Sequence, residues 1–393
     1  MSQSLQSNII KLYIIKIAKW FMLFMPIVVL FYEENGLELR HVFILQAIYS
    51  VSIVALEIPS GYLADAWGRK YTLVLGSILG FFGFLTYSFS NGFTGFLIAE
   101  IILGIGQSLI SGADSALLYD SLLETGKKDD YIKYEGRLVS LGNFAEAFAG
   151  ILGGLLAALS LRYPYYAQTF VSAIAIPASI MLYEPQTHKI LIKMSFNHIM
   201  QIVKYSLYGN KELMWNIIFS SVIGAATLTM AWFVQPYLKL VALPLSMFGI
   251  MWTLLNLTVG FSSMYAHKIE FYYKQKKTII GIAILIPLGF IVLSSINAFW
   301  GISILFLFYI IRGIATPVLK DYINRLCDSD VRATVLSVRN FVIRIFFAII
   351  GPLGGWYSDK YTLQDAILLS GFIFLVLAIL TLMILIKNLK SEN

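Results

Sequence analysis

Long apolar runs separated by short polar segments organise the whole chain. A helix needs about 20 apolar residues to cross the hydrocarbon core of a bilayer, and a window of that length predicts twelve spans. Backbone groups in hydrocarbon must be hydrogen-bonded within their own segment, so the spans are predicted to be helices. They cover residues 10–31, 42–62, 71–89, 95–118, 139–160, 165–183, 213–234, 246–266, 278–296, 300–320, 334–357 and 366–386.

The composition agrees with a lipid environment. Of 393 residues, 58% are apolar and only 13% are charged, whereas an ordinary soluble domain is about 25% charged. A chain of this composition cannot cover itself with polar surface in water. The single cysteine, Cys327, excludes an internal disulfide framework. The sequence therefore predicts an all-α membrane protein.

The positive charges predict the orientation of the spans. Most lysines and arginines of the connecting segments fall on one side of the membrane, and only Arg40, Arg162, Lys239 and Lys360 fall on the other. The positive-inside rule then predicts that both termini are cytoplasmic. The net charge of +7 is dispersed over many short loops, so we interpret it as a signal of topology and expect no nucleic-acid partner.

The longest predicted loop divides the chain into two halves. We predict an N-terminal bundle over residues 1–183, a cytoplasmic linker over 184–212 and a C-terminal bundle over 213–393. Apolar residues at helical spacing predict an amphipathic surface helix in the linker, which could be a plain connection or a regulatory element. They are Phe196, Ile199, Met200, Val203 and Leu207.

The two halves also share weak internal repeats. Leu118-Tyr-Asp120 at the end of span four is similar to Leu319-Lys-Asp321 at the end of span ten. The glycines of Gly150-Ile-Leu-Gly153-Gly154 in span five are matched by those of Gly351-Pro-Leu-Gly354-Gly355 in span eleven. These matches indicate that the two halves of the chain are weakly similar to each other.

A charged turn between spans two and three is the most specific motif. It reads Gly61-Tyr-Leu-Ala-Asp65-Ala-Trp-Gly68-Arg69-Lys70. This turn resembles the signature loop of the major facilitator superfamily of secondary transporters, except that Ala66 stands where that family has a basic residue. The resemblance implies twelve transmembrane helices in two pseudo-symmetric six-helix bundles that work by alternating access.

By the same resemblance, Gly61, Asp65, Gly68, Arg69 and Lys70 would form a gating loop. Asp65 would face the positive N-terminal end of span eleven, near residues 334–337. A purely topological role explains the two basic residues equally well, but it explains neither the glycines nor Asp65.

Polar residues within span four fall on one stripe if the span is a single helix. Glu100, Gly104, Gln107, Ser111 and Asp114 are spaced by four, three, four and three residues, the spacing of one helix face. A stripe of this kind avoids lipid. It either lines the transport path, as a substrate cavity with Glu100, Gln107 and Ser111, or packs against neighbouring helices.

Three carboxylates are candidates for proton coupling: Glu57, Asp114 and Glu146. Lys16 is predicted at a depth similar to that of Glu57 and Asp114. We expect it to extend to the membrane surface, although it could instead pair with one of these carboxylates. Glu146 shares a helix face with Gly150 and Gly153. The Gly153-Gly154 pair is similar to a glycine motif of proton-driven exporters, but its expected proline is replaced by Gly150.

The second half places cations within its spans. Arg312 lies in span ten, and Asn340 and Arg344 share one face of span eleven, while Arg339 could extend to the cytoplasm. Carboxylates in the first half and guanidiniums in the second would suit a substrate that carries an anionic group and a polar or cationic part. Ion pairing between the two halves is an alternative explanation for the presence of the same charges.

These patterns favour a secondary transporter of the cell membrane, a bacterial inner membrane, that functions as a monomer. We expect proton-coupled export of a small amphiphilic solute, with sodium as another possible coupling ion. The alternatives are an uptake symporter of a small organic anion or zwitterion, and a sensor that no longer transports. A membrane-embedded transferase is disfavoured because the four histidines scatter over loops without metal-ligand spacing. We expect no metal or cofactor, and no ATP-binding loop is visible.

Overall fold

The computed structural model describes residues 2–111, 113–127, 130–185, 201, 203–327 and 332–388. Within these residues the ordered elements are helical. The first half contains α1 Ser2–Trp20, α2 Val28–Glu34, α3 Leu39–Trp67, α4 Arg69–Phe89, α5 Gly92–Ile110, α6 Ala113–Glu124, α7 Tyr131–Leu159 and α8 Tyr163–Ile180. The second contains α9 Lys211–Leu240, α10 Phe248–Ser294, α11 Ile302–Asn324, α12 Arg332–Lys360 and α13 Leu363–Asn388.

The helices account for the twelve predicted spans. Among the described residues, ten helical stretches are long and apolar enough to cross a membrane. One of them, Leu245–Ser294, has 50 residues, and at about 1.5 Å per residue it is long enough to cross twice. Its helix is interrupted at Lys274, where φ is 61°, between predicted spans eight and nine. The sixth span is α8, whose tyrosines and hydroxyl side chains lower its mean hydropathy.

Two predicted spans are not single helices. Span one breaks after Trp20, passes through a short 3-10 turn at Met25–Ile27 and continues as α2. Pro26 lies in that turn, where it lacks an N–H for a regular helix. Span four breaks after Ile110, because Ser111 adopts extended backbone angles before α6 begins at Ala113. The prediction of one unbroken polar stripe from Glu100 to Asp114 is therefore wrong.

The chain forms two compact units. Unit 1 comprises Met1–Leu37, Ile48–Lys193 and Leu245–Thr253, and unit 2 comprises Glu38–Ala47, Met194–Pro244 and Leu254–Asn393. Helix α3 thus begins in unit 2 and continues in unit 1, and the first turns of α10 belong to unit 1. In unit 1, α4 packs against α5 and α8, and α1 against α7 and α8; in unit 2, α9 packs against α11, α12 and α13.

The predicted amphipathic linker helix lies largely outside the described residues. Of its five apolar positions, Phe196, Ile199 and Met200 belong to the segment that is not described. The described part contains a short π-helical turn at Tyr205–Gly209, followed by Asn210. The Asn210 side chain accepts a hydrogen bond from the Leu213 N–H and so caps α9.

Candidate transport site

The signature turn is closed by a carboxylate from the end of the sixth span. Gly68 has a φ of 108° and precedes the first residue of α4. The Glu184 carboxylate accepts hydrogen bonds from the backbone N–H groups of Arg69 (2.8 Å) and Lys70 (2.6 Å). A negative charge is favourable at this position, because the first N–H groups of a helix have no partner within it. A Cβ at Gly68 would lie 3.1 Å from the Glu184 carboxyl carbon, so the turn requires glycine for both backbone angle and space.

The Arg69 side chain connects the same turn to α6. Its Nη1 donates to the backbone oxygen of Ala116 at 2.6 Å and to the carboxylate of Asp120. Asp120 has no exposed surface. Gly61 and Asp65 lie in the last turns of α3, but the side chains of Asp65 and Glu57 are outside the part that the structure describes. The gating role of Asp65 stays a prediction.

Lys16 and Asp114 form an ion pair inside unit 1. The Lys16 Nζ lies 3.7 Å from the Asp114 Oδ2, and the two side chains retain 14% and 12% of their exposure. The expectation that Lys16 extends to the membrane surface is therefore wrong, and the alternative, pairing with Asp114, describes the structure. Lys19, one turn further along α1, also attracts Asp114. The other Asp114 oxygen accepts from the Ser115 N–H at 2.8 Å at the start of α6.

A smaller polar cluster adjoins this pair through Ser115. The Ser115 hydroxyl donates to Glu135 Oε1 at 2.8 Å, which joins α6 to the first turns of α7. Tyr131 lies beside both residues, outside the membrane-spanning part of α7. Burial raises the pKa of its hydroxyl, and the neighbouring Glu135 carboxylate raises that pKa further.

Glu100 lies in an aromatic cluster of unit 1. It is only 4% exposed, and its Oε1 accepts a hydrogen bond of 2.9 Å from the Tyr32 hydroxyl. The Tyr32 and Tyr87 hydroxyls are 2.5 Å apart, and the ring of Tyr165 stacks on that of Tyr87. Glu100 therefore lies against packed tyrosines in this structure. Of its predicted neighbours on the stripe, Gln107 is partly buried in α5, and Ser111 is exposed at the end of that helix.

The glycines of α7 allow very close packing in unit 1. A Cβ at Gly249, in the first turns of α10, would overlap the backbone oxygen of Gly150. A Cβ at Gly154 would lie 2.9 Å from the Gly249 backbone nitrogen. The Thr253 hydroxyl donates to the backbone oxygen of Ala147 at 3.0 Å. Glu146, on the same helix, is partly buried.

The cations of unit 2 occupy different environments. The Arg312 guanidinium lies 5.3 Å from the centre of the Tyr309 ring, a cation–π contact. Arg344 is partly buried and Asn340 is exposed, four residues apart on α12. Arg339, which could have extended to the cytoplasm on sequence grounds, is only 5% exposed. Its Nε donates to the Ser220 hydroxyl of α9 at 2.5 Å.

Two residues of this architecture were not singled out from the sequence. Glu184 had a detectable signal, because it directly follows span six on the side of the membrane that carries the turn. Tyr32 had none, because one tyrosine among 23 does not stand out before helix packing places it against Glu100.

Comparison with known proteins agrees with this architecture. The sequence of residues 13–352 matches the family described as Major Facilitator Superfamily. The chain is 24% identical over 374 residues to the class H tetracycline resistance protein of Pasteurella multocida, covering 91% of this chain and 88% of that protein. It is 23% identical over 159 residues to the quinolone resistance protein NorA of Staphylococcus aureus, which is 40% of this chain and 39% of NorA.

Solved structures support the fold independently of sequence. The crystal structure of the nucleoside transporter NupG superposes with a TM-score of 0.79 at 15% sequence identity, covering 98% of each chain. Identity this low carries information on the fold alone. Together with the family match over most of the sequence, it leads to one conclusion: this chain is a multi-pass membrane protein that belongs to the major facilitator superfamily of transporters.

Proposed function

We propose that this protein is a secondary active transporter that exports a small, amphiphilic solute by alternating access in exchange for protons. The observation that carries the proposal is the ion pair of Lys16 and Asp114 within unit 1. Ionisable groups within membrane-spanning segments are energetically costly, and they usually mark a transport or proton pathway. The names of the tetracycline and quinolone resistance relatives support export of amphiphilic compounds.

In this mechanism the proton competes with Lys16 for Asp114. While the pair is intact, the lysine stabilises the carboxylate. Protonation of Asp114 removes its charge and releases Lys16, which changes the free-energy difference between the two access states. The membrane potential contributes about 2.3 kcal/mol per charge per 100 mV, enough to drive accumulation or expulsion against a concentration gradient. Glu57 and Glu146 remain further candidates for proton coupling.

Proton-coupled uptake of an organic anion or zwitterion is the second candidate function. The cations of unit 2, Arg312, Arg339 and Arg344, favour it, since they would attract an anionic group. The name of the structural neighbour NupG, a nucleoside transporter, shows that the fold also serves solutes other than drugs. Sodium could replace the proton in either direction. The matched family consists of transporters, which argues against an enzymatic function for this protein.

We also propose the topology and the gating role expected from the sequence. Both termini would be cytoplasmic in a bacterial inner membrane, with bundles over 1–183 and 213–393 and the linker over 184–212. Asp65→Asn would leave insertion intact and shift the population toward the inward-open state. Labelling of single cysteines from either side of the membrane would measure that shift, and unchanged accessibility on both faces would contradict the gating role.

The decisive experiment is substrate-dependent proton movement in proteoliposomes. Strains lacking and carrying the protein are first compared for sensitivity to tetracycline and a quinolone, and for growth on candidate nutrients, which separates export from uptake. The pH change on adding the identified substrate is then recorded for the wild type, Glu57→Gln, Asp114→Asn and Glu146→Gln. We expect Asp114→Asn to lose coupling. Full proton-coupled transport by all three variants would refute the assignment of the coupling site.

A further inference from the structure

Arg339 is a buried cation without a matching carboxylate in the described part of the chain. It is only 5% exposed. Its Nε donates to Ser220, and Nη1 makes a long contact of 3.4 Å with the Asn340 side-chain oxygen. The ion pairs of the described residues do not include Arg339. An arginine carries five N–H donors, and the described side chains accept hydrogen bonds from two of the three Arg339 nitrogens.

A second cation lies near the same guanidinium. The side chain of Lys320, on α11, is exposed, and its positive charge interacts unfavourably with that of Arg339 on α12. Within the described part of the chain, the carboxylates of Asp321 and Glu270 contact Arg325. Its Nη2 lies 2.6 Å from Asp321 Oδ2 and its Nη1 lies 3.6 Å from Glu270 Oε1.

A buried guanidinium with a second, exposed cation on the neighbouring helix is unfavourable without an anion. A buried charge carries a large desolvation cost unless it is paired and hydrogen-bonded, and repulsion between like charges adds to that cost. An anion between them would offset both terms. The planar guanidinium suits an oxyanion in particular, because its N–H groups can bind two oxygens at once, while Lys320 contributes a flexible point charge.

We infer that Arg339 and Lys320, with Ser220 positioning the guanidinium, form a binding site for an oxyanion: a carboxylate or a phosphate group. This inference rests on the proposed transport function, and it assigns the anionic part of the substrate to unit 2 at Arg339. The same chemistry could be supplied by a soluble substrate or by the phosphate of a lipid headgroup. The test separates these two sources.

The test measures anion binding and requires no transport. The full chain is placed in phosphatidylcholine nanodiscs, and its thermal unfolding is followed by tryptophan fluorescence during titration with sodium benzoate or inorganic phosphate at constant ionic strength. The wild type is expected to show a saturable rise in melting temperature. Arg339→Gln should raise the half-saturating anion concentration about tenfold or more. A loss of affinity of this size is expected when hydrogen bonds to a charged group are removed.

Three further variants complete the design. Lys320→Gln should weaken binding less than Arg339→Gln. Arg339→Lys, which keeps the charge and loses the planar fork, should also bind more weakly than the wild type, and it carries the test if Arg339→Gln fails to fold. Lys387→Gln, which removes an exposed positive charge at the end of α13, should titrate like the wild type.

Nanodiscs that contain phosphatidylglycerol form the second arm. A rise in melting temperature that occurs only with this lipid, and that Arg339→Gln and Arg339→Lys weaken, assigns the site to a lipid phosphate. A rise with benzoate or phosphate in phosphatidylcholine assigns it to a solute. An equal response of wild type, Arg339→Gln and Arg339→Lys, or no response to any of the anions, would overturn the inference. If the wild type binds the anion in this assay but transports no substrate in proteoliposomes, that result would instead count against the proposed transport function.

Discussion

Lys16 Nζ and Asp114 Oδ2 are 3.7 Å apart and join α1 to the first turn of α6, just after the break in the fourth span. Because both side chains are largely buried, removing one partner leaves the other charge without compensation. We expect Asp114→Asn to lower the free energy of unfolding by about 3 kcal/mol, near the lower end for a broken buried pair. Denaturant unfolding of the detergent-solubilised protein measures this change.

The double variant Lys16→Met/Asp114→Asn separates stability from coupling. Replacing both charges removes the uncompensated lysine, so stability should return close to that of the wild type. Proton-coupled transport should not return with it, because the carboxylate is absent. A double variant no more stable than Asp114→Asn alone would show that the pair is not a coupled unit.

The carboxylate at Glu184 should stabilise the signature turn by capping α4. Glu184→Ala removes the acceptor for the N–H groups of Arg69 and Lys70, and helix caps contribute roughly 0.5–2 kcal/mol. We therefore expect a lower melting temperature for Glu184→Ala and a smaller decrease for Glu184→Gln, which keeps one acceptor oxygen. An unchanged melting temperature for Glu184→Ala would contradict the cap.

Gly249 should tolerate no side chain while α7 and the start of α10 are in contact. A methyl group there would overlap the backbone oxygen of Gly150, so Gly249→Ala should separate the two segments or destabilise the protein. Gly281→Ala is the matched control, because a Cβ at Gly281 meets nothing within 4 Å. The control should stabilise its helix by up to about 1 kcal/mol, the propensity difference between the two residues. Melting temperatures that change alike in both variants would refute the close contact.

A second carboxylate caps α3 within unit 2. Asp359 Oδ1 accepts from the Leu39 N–H at 2.9 Å and Oδ2 from the Arg40 N–H at 2.8 Å. Asp359→Ala should lower the free energy of unfolding by roughly 0.5–2 kcal/mol and increase the labelling of a cysteine placed at Leu39. Asp365→Ala is the control, since that exposed carboxylate accepts a hydrogen bond from the nearby Thr362 hydroxyl at the start of α13. Labelling at position 39 that does not change in Asp359→Ala would contradict the cap.

Glu100 should act through packing and not through direct substrate contact in this conformation. Glu100→Gln keeps an acceptor for the Tyr32 hydroxyl, whereas Glu100→Ala leaves a buried hydroxyl without this partner, which costs about 1–3 kcal/mol. The melting temperature should therefore fall more for Glu100→Ala than for Glu100→Gln. Equal melting temperatures with weaker substrate binding in both would favour the cavity role that the sequence suggested.

Hydropathy predicted most of the fold because each span is a local property of the chain. About 20 consecutive apolar residues are sufficient to define a membrane helix, wherever its neighbours lie. The breaks at Met25–Ile27 and after Ile110 were not predicted, because a hydropathy average over a whole span hides a few non-helical backbone angles. The polar stripe of span four was wrong because its spacing assumed a helix that continues through Ser111.

Pair contacts were harder to predict, because they depend on residues far apart in the sequence. Lys16 could pair or extend to the surface on sequence grounds, and only the packing of α1 against α6 decides between them. Arg339 shows the opposite case. Its short distance from the start of span eleven suggested exposure, yet Ser220 on α9 holds it in the interior.

The turn at Gly68 is connected to the rest of unit 1 by two separate routes. The backbone of Arg69 binds Glu184, and its side chain binds α6. Replacing the arginine would therefore cut only the second route, because any residue other than proline supplies the same N–H. The importance of this short motif thus extends to a glutamate 115 positions away, and sequence variation in the motif should be interpreted together with variation at Glu184.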